Sequence, residues 1–191
     1  MKNNIKLRDL KIEDLEQYYE LKHPSKLHNQ YNGPYLGIIS EEELKGDIEY
    51  FREEFLKGNP RPYKGKLIVD TTTGELIGNT SYYWKSKETL WLEIGLTIFN
   101  EDYWNKGIGF DALTLWITEV FKNHPEIVRL GITSWSGNPG MLRLAEKLGL
   151  QLEATYRKAR IYKGKYYDSV SYGILREEWE QSKDTSNKKI S

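Results

Sequence analysis

Two glycines lie near the middle of this 191-residue chain, within the segment WNKGIG at residues 104–109. An apolar stripe of helical spacing follows at Leu113, Ile117 and Val120, which places the glycines at the start of a predicted helix. Backbone N–H groups at a strand-to-helix turn, together with the positive end of the helix dipole, attract anions, and glycine lets a pyrophosphate approach closely. The segment therefore predicts a phosphate site, with a plain tight turn as the alternative.

Two better-known phosphate motifs do not match this segment. The glycines are not followed by the Lys-Ser/Thr pair of a nucleotide P-loop, and no third glycine with an acidic residue about 20 positions later marks a dinucleotide site. The segment also lies in mid-chain and not in the first strand–helix unit of a doubly wound sheet. If it binds phosphate, it does so in another fold.

Glu93 is the second residue that could do chemistry. It is the only ionisable residue between Leu90 and Phe99, where aliphatic residues alternate with others. A period of two places the aliphatic side chains on one face of a strand and Glu93 on the other. A carboxylate can accept a proton from an attacking amine through water, so Glu93 is a candidate general base. The alternative is a surface or salt-bridged glutamate.

The composition excludes several classes of function. The chain has no cysteine, and its 28 basic residues balance 28 acidic ones. Disulfides, thiolate metal sites and a cysteine nucleophile are therefore excluded, and nothing in the charge favours nucleic acid or an anionic membrane. His23, His28 and His124 lack metal-ligand spacing and are expected at the surface. The polar N-terminus and the lack of an apolar run of about 20 residues predict a cytoplasmic protein.

Periodicity and turn signals predict the elements that must position these residues. An Asn138-Pro139 pair opens one helix as N-cap and first residue, and Ser40 with Glu43 forms a capping box for another. A loop is predicted over residues 23–39. The order is β-α-α-β-β-β-α-β-α-β-β, with strands at residues 5–10, 66–72, 75–84, 90–99, 128–133, 151–162 and 166–175.

This order predicts an α/β protein with one mixed sheet covered by helices. Residues 1–180 are expected to form a single domain, and residues 181–191 a polar, frayed C-terminal tail.

The central motifs, taken in this order, resemble the GNAT N-acetyltransferases. The internal glutamate at Glu93, the glycine segment, and a helix from Asn138 to Gly149 all follow that pattern. More narrowly, the segment YWNKGIGFDAL from Tyr103 is similar to the Rim-type branch, named for enzymes that acetylate ribosomal-protein N-termini. That branch often has Trp at the position of Trp104 and Asn at the position of Asn138.

The resemblance implies a GNAT fold with a central mixed sheet of about seven strands flanked by about four helices. It also implies a V-shaped opening beside strand 90–99, in which the pantetheine arm of acetyl-CoA pairs with the backbone near Thr97 and Phe99. The amides of residues 106–110 would hold the pyrophosphate. The implied cofactor-binding residues are Thr97, Phe99, Trp104, Asn105, Lys106, Gly107, Ile108, Gly109, Phe110 and Asn138.

The chain departs from the family at the general acid. Many GNATs have a Tyr at the position of Ala145, and the Rim-type branch often has a Ser at that of Met141. Phe110 replaces a usually small residue and crowds the loop, although its amide is expected to stay available. The implied catalytic residues are Glu93, Asn138 and Ser134, and the substitutes considered for the acid are Ser134, Ser136, Tyr166 and Tyr167.

The predicted function is transfer of the acetyl group of acetyl-CoA, as cosubstrate, to a primary amine by direct attack, without a metal. The acceptor would be a protein or peptide N-terminus. Two alternatives remain: acetylation of a small molecule such as an antibiotic or polyamine, and a CoA-binding regulatory protein without catalysis. The aromatic loop at residues 31–35 either lines the acceptor pocket or packs itself down. No nucleic-acid or membrane partner is expected, and the exposed final strands would allow a homodimer.

Overall fold

A seven-stranded mixed sheet forms the centre of the protein. The computed structural model describes the backbone of residues 4–188 and the side chains up to residue 182. Neighbouring strands follow the order β1-β2-β3-β4-β5-β7-β6, and only β4 and β5 are parallel among the described pairs. The strands are β1 Ile5–Arg8, β2 Gly65–Asp70, β3 Leu76–Ser86, β4 Trp91–Ile98, β5 Arg129–Trp135, β6 Gln151–Tyr162 and β7 Lys165–Leu175.

Five α-helices cover the two faces of this sheet. They are α1 Leu15–Lys22, α2 Glu41–Leu56, α3 Ile108–Asn123, α4 Pro139–Lys147 and α5 Arg176–Lys188. Helices α3, α4 and α5 pack on the face that carries Leu92 and Ile94 of β4. Helices α1 and α2 pack on the opposite face, where Tyr18 and Ile48 contact the side chains of β2.

The parallel pair at the centre is very short. Only Leu92 with Leu130 and Glu93 with Gly131 are paired between β4 and β5. Beyond Glu93 the two strands diverge, so the C-terminal half of β4 has β3 on one side and no strand on the other. This divergence opens a V-shaped gap in the middle of the sheet.

The predicted elements and their order are confirmed, with ends that differ by a few residues. The Ser40 capping box forms, because the Ser40 hydroxyl accepts from the Glu43 amide while a Glu43 carboxylate oxygen accepts from the Ser40 amide. Leu90 was expected on the buried aliphatic face of β4. Instead it precedes the strand in a left-handed conformation and is exposed.

The C-terminal segment differs from the expected frayed tail. Helix α5 continues into it as far as Lys188, while residues 189–191 lie outside the described part of the chain. The Arg176 guanidinium donates to the carbonyls of Phe121, His124 and Ile127, and the Trp179 side chain is 6% exposed within the core. These contacts hold the start of α5 against α3.

His28 is also placed differently from the expectation. It is 3% exposed, because the loop at residues 23–39 folds over it in two short 3-10 turns. Its Nε2 lies 2.9 Å from the Leu21 carbonyl oxygen, and burial lowers the pKa of the imidazole. His23 and His124 are partly buried.

Membrane-spanning helices and metal-ligand clusters are both absent from the described residues, which are 4–188 for the backbone and those up to 182 for side chains. None of the helices in this range has the length and apolar character needed to cross a membrane. In the same range, no three His, Asp or Glu side chains come together as ligands for a metal ion.

We expect Trp179→Ala to lower the free energy of unfolding by about 3–5 kcal/mol, because it removes a large buried side chain that joins α5 to the core. The matched control is Glu180→Ala on the exposed side of α5, which should stay within about 0.5 kcal/mol of wild type. Urea unfolding measures both. A loss below about 1 kcal/mol for Trp179→Ala would mean that α5 contributes little to the fold.

Candidate active site

A cavity of about 590 Å³ opens into the gap beside β4. Leu96, Thr97 and Ile98 of β4 form one wall, and helix α4 forms the other. The start of α3 lines the bottom, and the loop at residues 31–32 closes one side. The V-shaped opening that the resemblance implied therefore corresponds to an actual cleft.

The backbone of β4 offers this cleft a free edge, but not at the residues predicted. The Phe99 amide donates to the Ile77 carbonyl at 3.0 Å, so Phe99 and, two residues earlier, Thr97 direct their backbone groups at β3. The groups that face the cleft belong to Leu96 and Ile98. The Trp104 indole already donates to the Ile98 carbonyl at 3.0 Å.

The two predicted strand residues therefore have different positions. Thr97 lines the cleft, although its backbone groups face β3. Phe99 is buried against Tyr18 and His28 on the opposite face and does not line the cleft.

The glycine segment forms the turn into α3 and presents unpaired backbone amides. Gly107 is the N-cap with φ 82°, and Asn105 also has a positive φ of 57°, which asparagine tolerates better than most residues. The amides of Gly107, Ile108 and Gly109 have no hydrogen-bond partner in the described chain. These N–H groups at a helix N-terminus are suited to an anion.

Three other residues of the segment, Phe110, Lys106 and Gly109, do not offer a free amide to the cleft in the way the resemblance implied or have a further packing role. The Phe110 amide donates to the Gly107 carbonyl at 3.0 Å, so the expectation that it stays available is wrong. Lys106 does not line the cleft. Gly109 has an ordinary φ, and a Cβ there would come within 3.2 Å of Leu144 and Leu96, so this glycine serves the packing of α3 as well.

Two cations of α4 line the cleft, and the sequence analysis did not predict either of them. Arg143 and Lys147 are four residues apart and share one face of the helix. The Lys147 Nζ lies 5.1 Å from the centre of the Phe110 ring, next to the glycine turn. Their i,i+4 spacing was visible in the sequence, but only the packing of α4 shows that this face looks towards the amides of α3.

Asn138 is the N-cap of α4 and also fastens the loop above the cleft. Its Oδ1 accepts from the Met141 amide at 3.1 Å, and its Nδ2 donates to the Tyr31 carbonyl at 3.2 Å. The Trp135 indole donates to the same carbonyl at 2.9 Å. The Tyr31 ring meets Trp104 edge to face. Asn138 thus lines the cleft with its side-chain amide already engaged.

Glu93 is buried on the face of the sheet opposite α3. It is 1% exposed, its Oε2 accepts from the Tyr83 hydroxyl at 2.6 Å, and its Oε1 accepts from the Thr133 hydroxyl at 3.1 Å. Burial, and then the bond to this carboxylate, raise the pKa of Tyr83, so the phenol keeps its proton and remains a donor. Glu93 lines a second cavity of about 340 Å³, so it is not a surface glutamate.

The candidate acids do not meet at either cavity. Ser134 is buried and lines neither of the two, and Ser136 accepts from the Asp168 amide. Tyr166 is 66% exposed, and Tyr167 packs on Trp135. Ala145, where many GNATs have a tyrosine, is fully buried in the core. Met141 lines the cleft and offers no proton.

Comparison with known proteins agrees with this geometry. A family model described as an acetyltransferase (GNAT) domain matches residues 4–151. The chain therefore belongs to the GNAT acetyltransferase family.

Two relatives come from Bacillus subtilis (strain 168). The uncharacterized N-acetyltransferase YnaD is 24% identical over 91% of this chain and 94% of its own length. The SPbeta prophage-derived uncharacterized N-acetyltransferase YokL is 35% identical over 44% of this chain, and that match spans 47% of the relative.

Several solved structures share the fold. A GNAT-family acetyltransferase from Bacillus anthracis superposes with a TM-score of 0.72 at 22% identity, over 93% of this chain and 98% of that one. A spermidine N-acetyltransferase from Vibrio cholerae in complex with CoA and spermine superposes with a TM-score of 0.70 at 18% identity, over 92% of this chain and 98% of that one. The ribosomal L7/L12 alpha-N-protein acetyltransferase RimL in complex with coenzyme A superposes with a TM-score of 0.66 at 19% identity, over 90% of this chain and 94% of that one.

We expect the double substitution Arg143→Gln and Lys147→Gln to weaken CoA binding at least tenfold, because it removes two cations beside the amides of α3. The loss should shrink as salt rises, since exposed charges are screened. Calorimetric titration with CoA measures it. The matched control is Lys122→Gln at the far end of α3, which should bind as wild type. Equal affinity of the double variant and wild type would exclude these cations from the binding site.

Proposed function

We propose that this protein transfers the acetyl group of acetyl-CoA to a primary amine by direct attack, with Glu93 as the general base. The observation that carries the proposal is the buried Glu93 carboxylate, held by two hydroxyl donors in a cavity at the point where β4 and β5 part. The fold alone would not support a catalytic step, because folds host many functions.

The cleft beside β4 fits coenzyme A. Its unpaired amides at Gly107, Ile108 and Gly109 suit a pyrophosphate, and Arg143 and Lys147 add positive charge nearby. The free backbone edge at Leu96 and Ile98 suits the amides of a pantetheine arm, which would pair with β4 as a further strand does. Acetyl-CoA, when bound, supplies an acetyl thioester whose carbonyl carbon an amine can attack.

Glu93 would take the proton that the amine must lose. An amine with a pKa well above 7 arrives protonated and is not a nucleophile until that proton has left. Tyr83 and Thr133 each donate to a different oxygen of Glu93, and they fix the orientation of the carboxylate. A water between the amine and Glu93 would carry the proton.

Tyr31 is our candidate for returning a proton to the leaving thiolate. It lines the cleft, and its hydroxyl has no hydrogen-bond partner in the described residues. Two donors hold its carbonyl, and Trp104 supports its ring. The phenol would therefore donate at the cleft the proton that Ala145 and Met141 cannot donate.

We propose that the protein belongs to the Rim-type branch, because Trp104 and Asn138 lie at positions typical of that branch. The proposed acceptor is accordingly a protein or peptide N-terminus. The alternative acceptor is a small amine, since fold neighbours include both a protein acetyltransferase and a spermidine acetyltransferase. The second candidate function is CoA binding without catalysis, which the missing acid at Ala145 favours. Turnover of acetyl-CoA against a broad panel of amines separates catalysis from binding alone.

We expect Glu93→Gln to lower kcat/KM by roughly 10²–10⁴ at pH 7 while CoA affinity stays unchanged, because the amide keeps the shape but cannot accept the proton. The loss should shrink as pH rises towards the pKa of the amine, because the amine then arrives neutral. Kinetics across pH measure this, with Glu88→Gln on the exposed turn before β4 as the control. Near-wild-type turnover at pH 7 would remove Glu93 from the mechanism.

We expect Tyr31→Phe to lower kcat by about 10²-fold with unchanged CoA affinity, because the thiolate would leave without its proton donor. The matched control is Tyr103→Phe. Tyr103 also lines the cleft, but its hydroxyl donates to Glu75 at 2.6 Å, a bond that raises the pKa of Tyr103 to about 12. Steady-state kinetics measure both variants. A kcat for Tyr31→Phe within threefold of wild type would assign the proton to another donor.

A further inference from the structure

The cavity that holds Glu93 is positively charged apart from Glu93 itself. Lys85 and Arg160 line it, and no other lining residue carries charge. The remaining lining includes the hydroxyls of Thr133, Ser169 and Ser171. Glu93 therefore faces two cations in a cavity of about 340 Å³, which has room for a small group.

Neither of these cations has an ion-pair partner among the described side chains. Arg160 donates through Nη2 to the Ser169 hydroxyl at 3.2 Å, and its guanidinium lies 4.7 Å from the centre of the Tyr35 ring. It makes no ion pair with a carboxylate in the described chain, and its Nε is buried without a hydrogen-bond partner. Lys85 likewise has no ion-pair partner among the side chains of residues 4–182.

A guanidinium that lines a cavity and has no carboxylate partner among the described residues is suited to an anion. Arginine binds carboxylates through two parallel hydrogen bonds, and a stacked, fixed guanidinium loses little freedom on binding. The nearby Arg129 is different, because it is already paired with Glu153.

The carboxylate and the guanidinium are separated by a short stretch of β7. The Ser171 hydroxyl contacts Thr133, which donates to Glu93, and the Ser169 hydroxyl contacts Arg160. Residues two apart on a strand lie on the same face at about 7 Å. One small molecule or one chain end can therefore place an amine near Glu93 and an anion at Arg160.

We propose that the acceptor amine carries a carboxylate on the same molecule, and that Arg160, assisted by Lys85, binds this carboxylate. The inference rests on the proposed acetyl transfer and names its substrate class. A polyamine is disfavoured, because its second cation would lie against Arg160 and Lys85. The carboxylate can come from a free amino acid or from an acidic residue next to a peptide N-terminus.

The test compares acceptors that differ only in this carboxylate. The pairs are β-alanine with β-alaninamide, and a peptide beginning Ser-Asp with one beginning Ser-Asn, and spermidine is a separate arm. Rates are compared per concentration of neutral amine, because amidation also shifts the amine's own pKa. We expect kcat/KM to be at least tenfold higher for the carboxylate member of a pair. The pair with the larger ratio of kcat/KM between its carboxylate and amide members identifies the source of the carboxylate.

Variants locate the effect. Arg160→Gln should raise KM for the carboxylate acceptor at least tenfold while kcat, CoA affinity and the kinetics of the amide stay unchanged. The matched control is Arg157→Gln, an exposed arginine of the same strand that does not line the cavity. Equal rates within both pairs, a preference for spermidine, or equal losses for acid and amide in Arg160→Gln would each overturn the proposal.

One further measurement separates this inference from the proposed function. If the protein binds CoA but acetylates no amine in the panel, the proposed transfer has failed. Calorimetric titration of β-alanine and of the Ser-Asp peptide into the CoA complex then tests the cavity alone. Binding to wild type that Arg160→Gln weakens at least tenfold supports the carboxylate site, and no binding to wild type overturns it.

Discussion

The short pairing of β4 with β5 is the constraint on which the rest of the structure depends. Two residue pairs join the strands, and beyond Glu93 the edge of β4 has no neighbour. An unpaired strand edge is normally a liability, because its N–H and C=O groups attract other chains. Here the edge faces a cleft lined by α4 and the loop at residue 31, which leaves room for a ligand.

Two cavities lie beside the point where the strands diverge, one on each face of the sheet. On the face of α3 and α4, unpaired amides and two cations line a cleft suited to a large anion. On the other face, a buried carboxylate lines a smaller cavity together with two cations that form no ion pair within the described part of the chain. Burying the Glu93 carboxylate costs free energy, and the hydroxyls of Tyr83 and Thr133 offset part of that cost. Those two donors orient the carboxylate without neutralising it, as a base requires.

Membership of the GNAT family leaves the acceptor open, since its fold neighbours here include enzymes named for a ribosomal protein and for spermidine. Specificity among proteins that share a fold depends on the side chains around the acceptor, because function is set by the site and not by the fold. In this chain β6 and β7 contribute Arg160, Ser169 and Ser171 to the cavity of Glu93, which we propose as the acceptor site. The hairpin at the end of the sheet is therefore where we expect relatives to differ in substrate.

The sequence alone determined the order of the elements, because local signals state it directly. The Ser40 capping box, the Asn138-Pro139 helix start and the alternation around Glu93 each depend on neighbours a few residues away. The glycine turn before α3 was predictable for the same reason. Tertiary structure decided which of these residues share a site. Hydrogen-bond direction along β4 moved the free edge from Thr97 and Phe99 to Leu96 and Ile98, and α4 brought Arg143 to the same cleft. Arg160 and Glu93 line one cavity only because β7, between β5 and β6, brings together residues 67 positions apart in the chain, which no local pattern encodes.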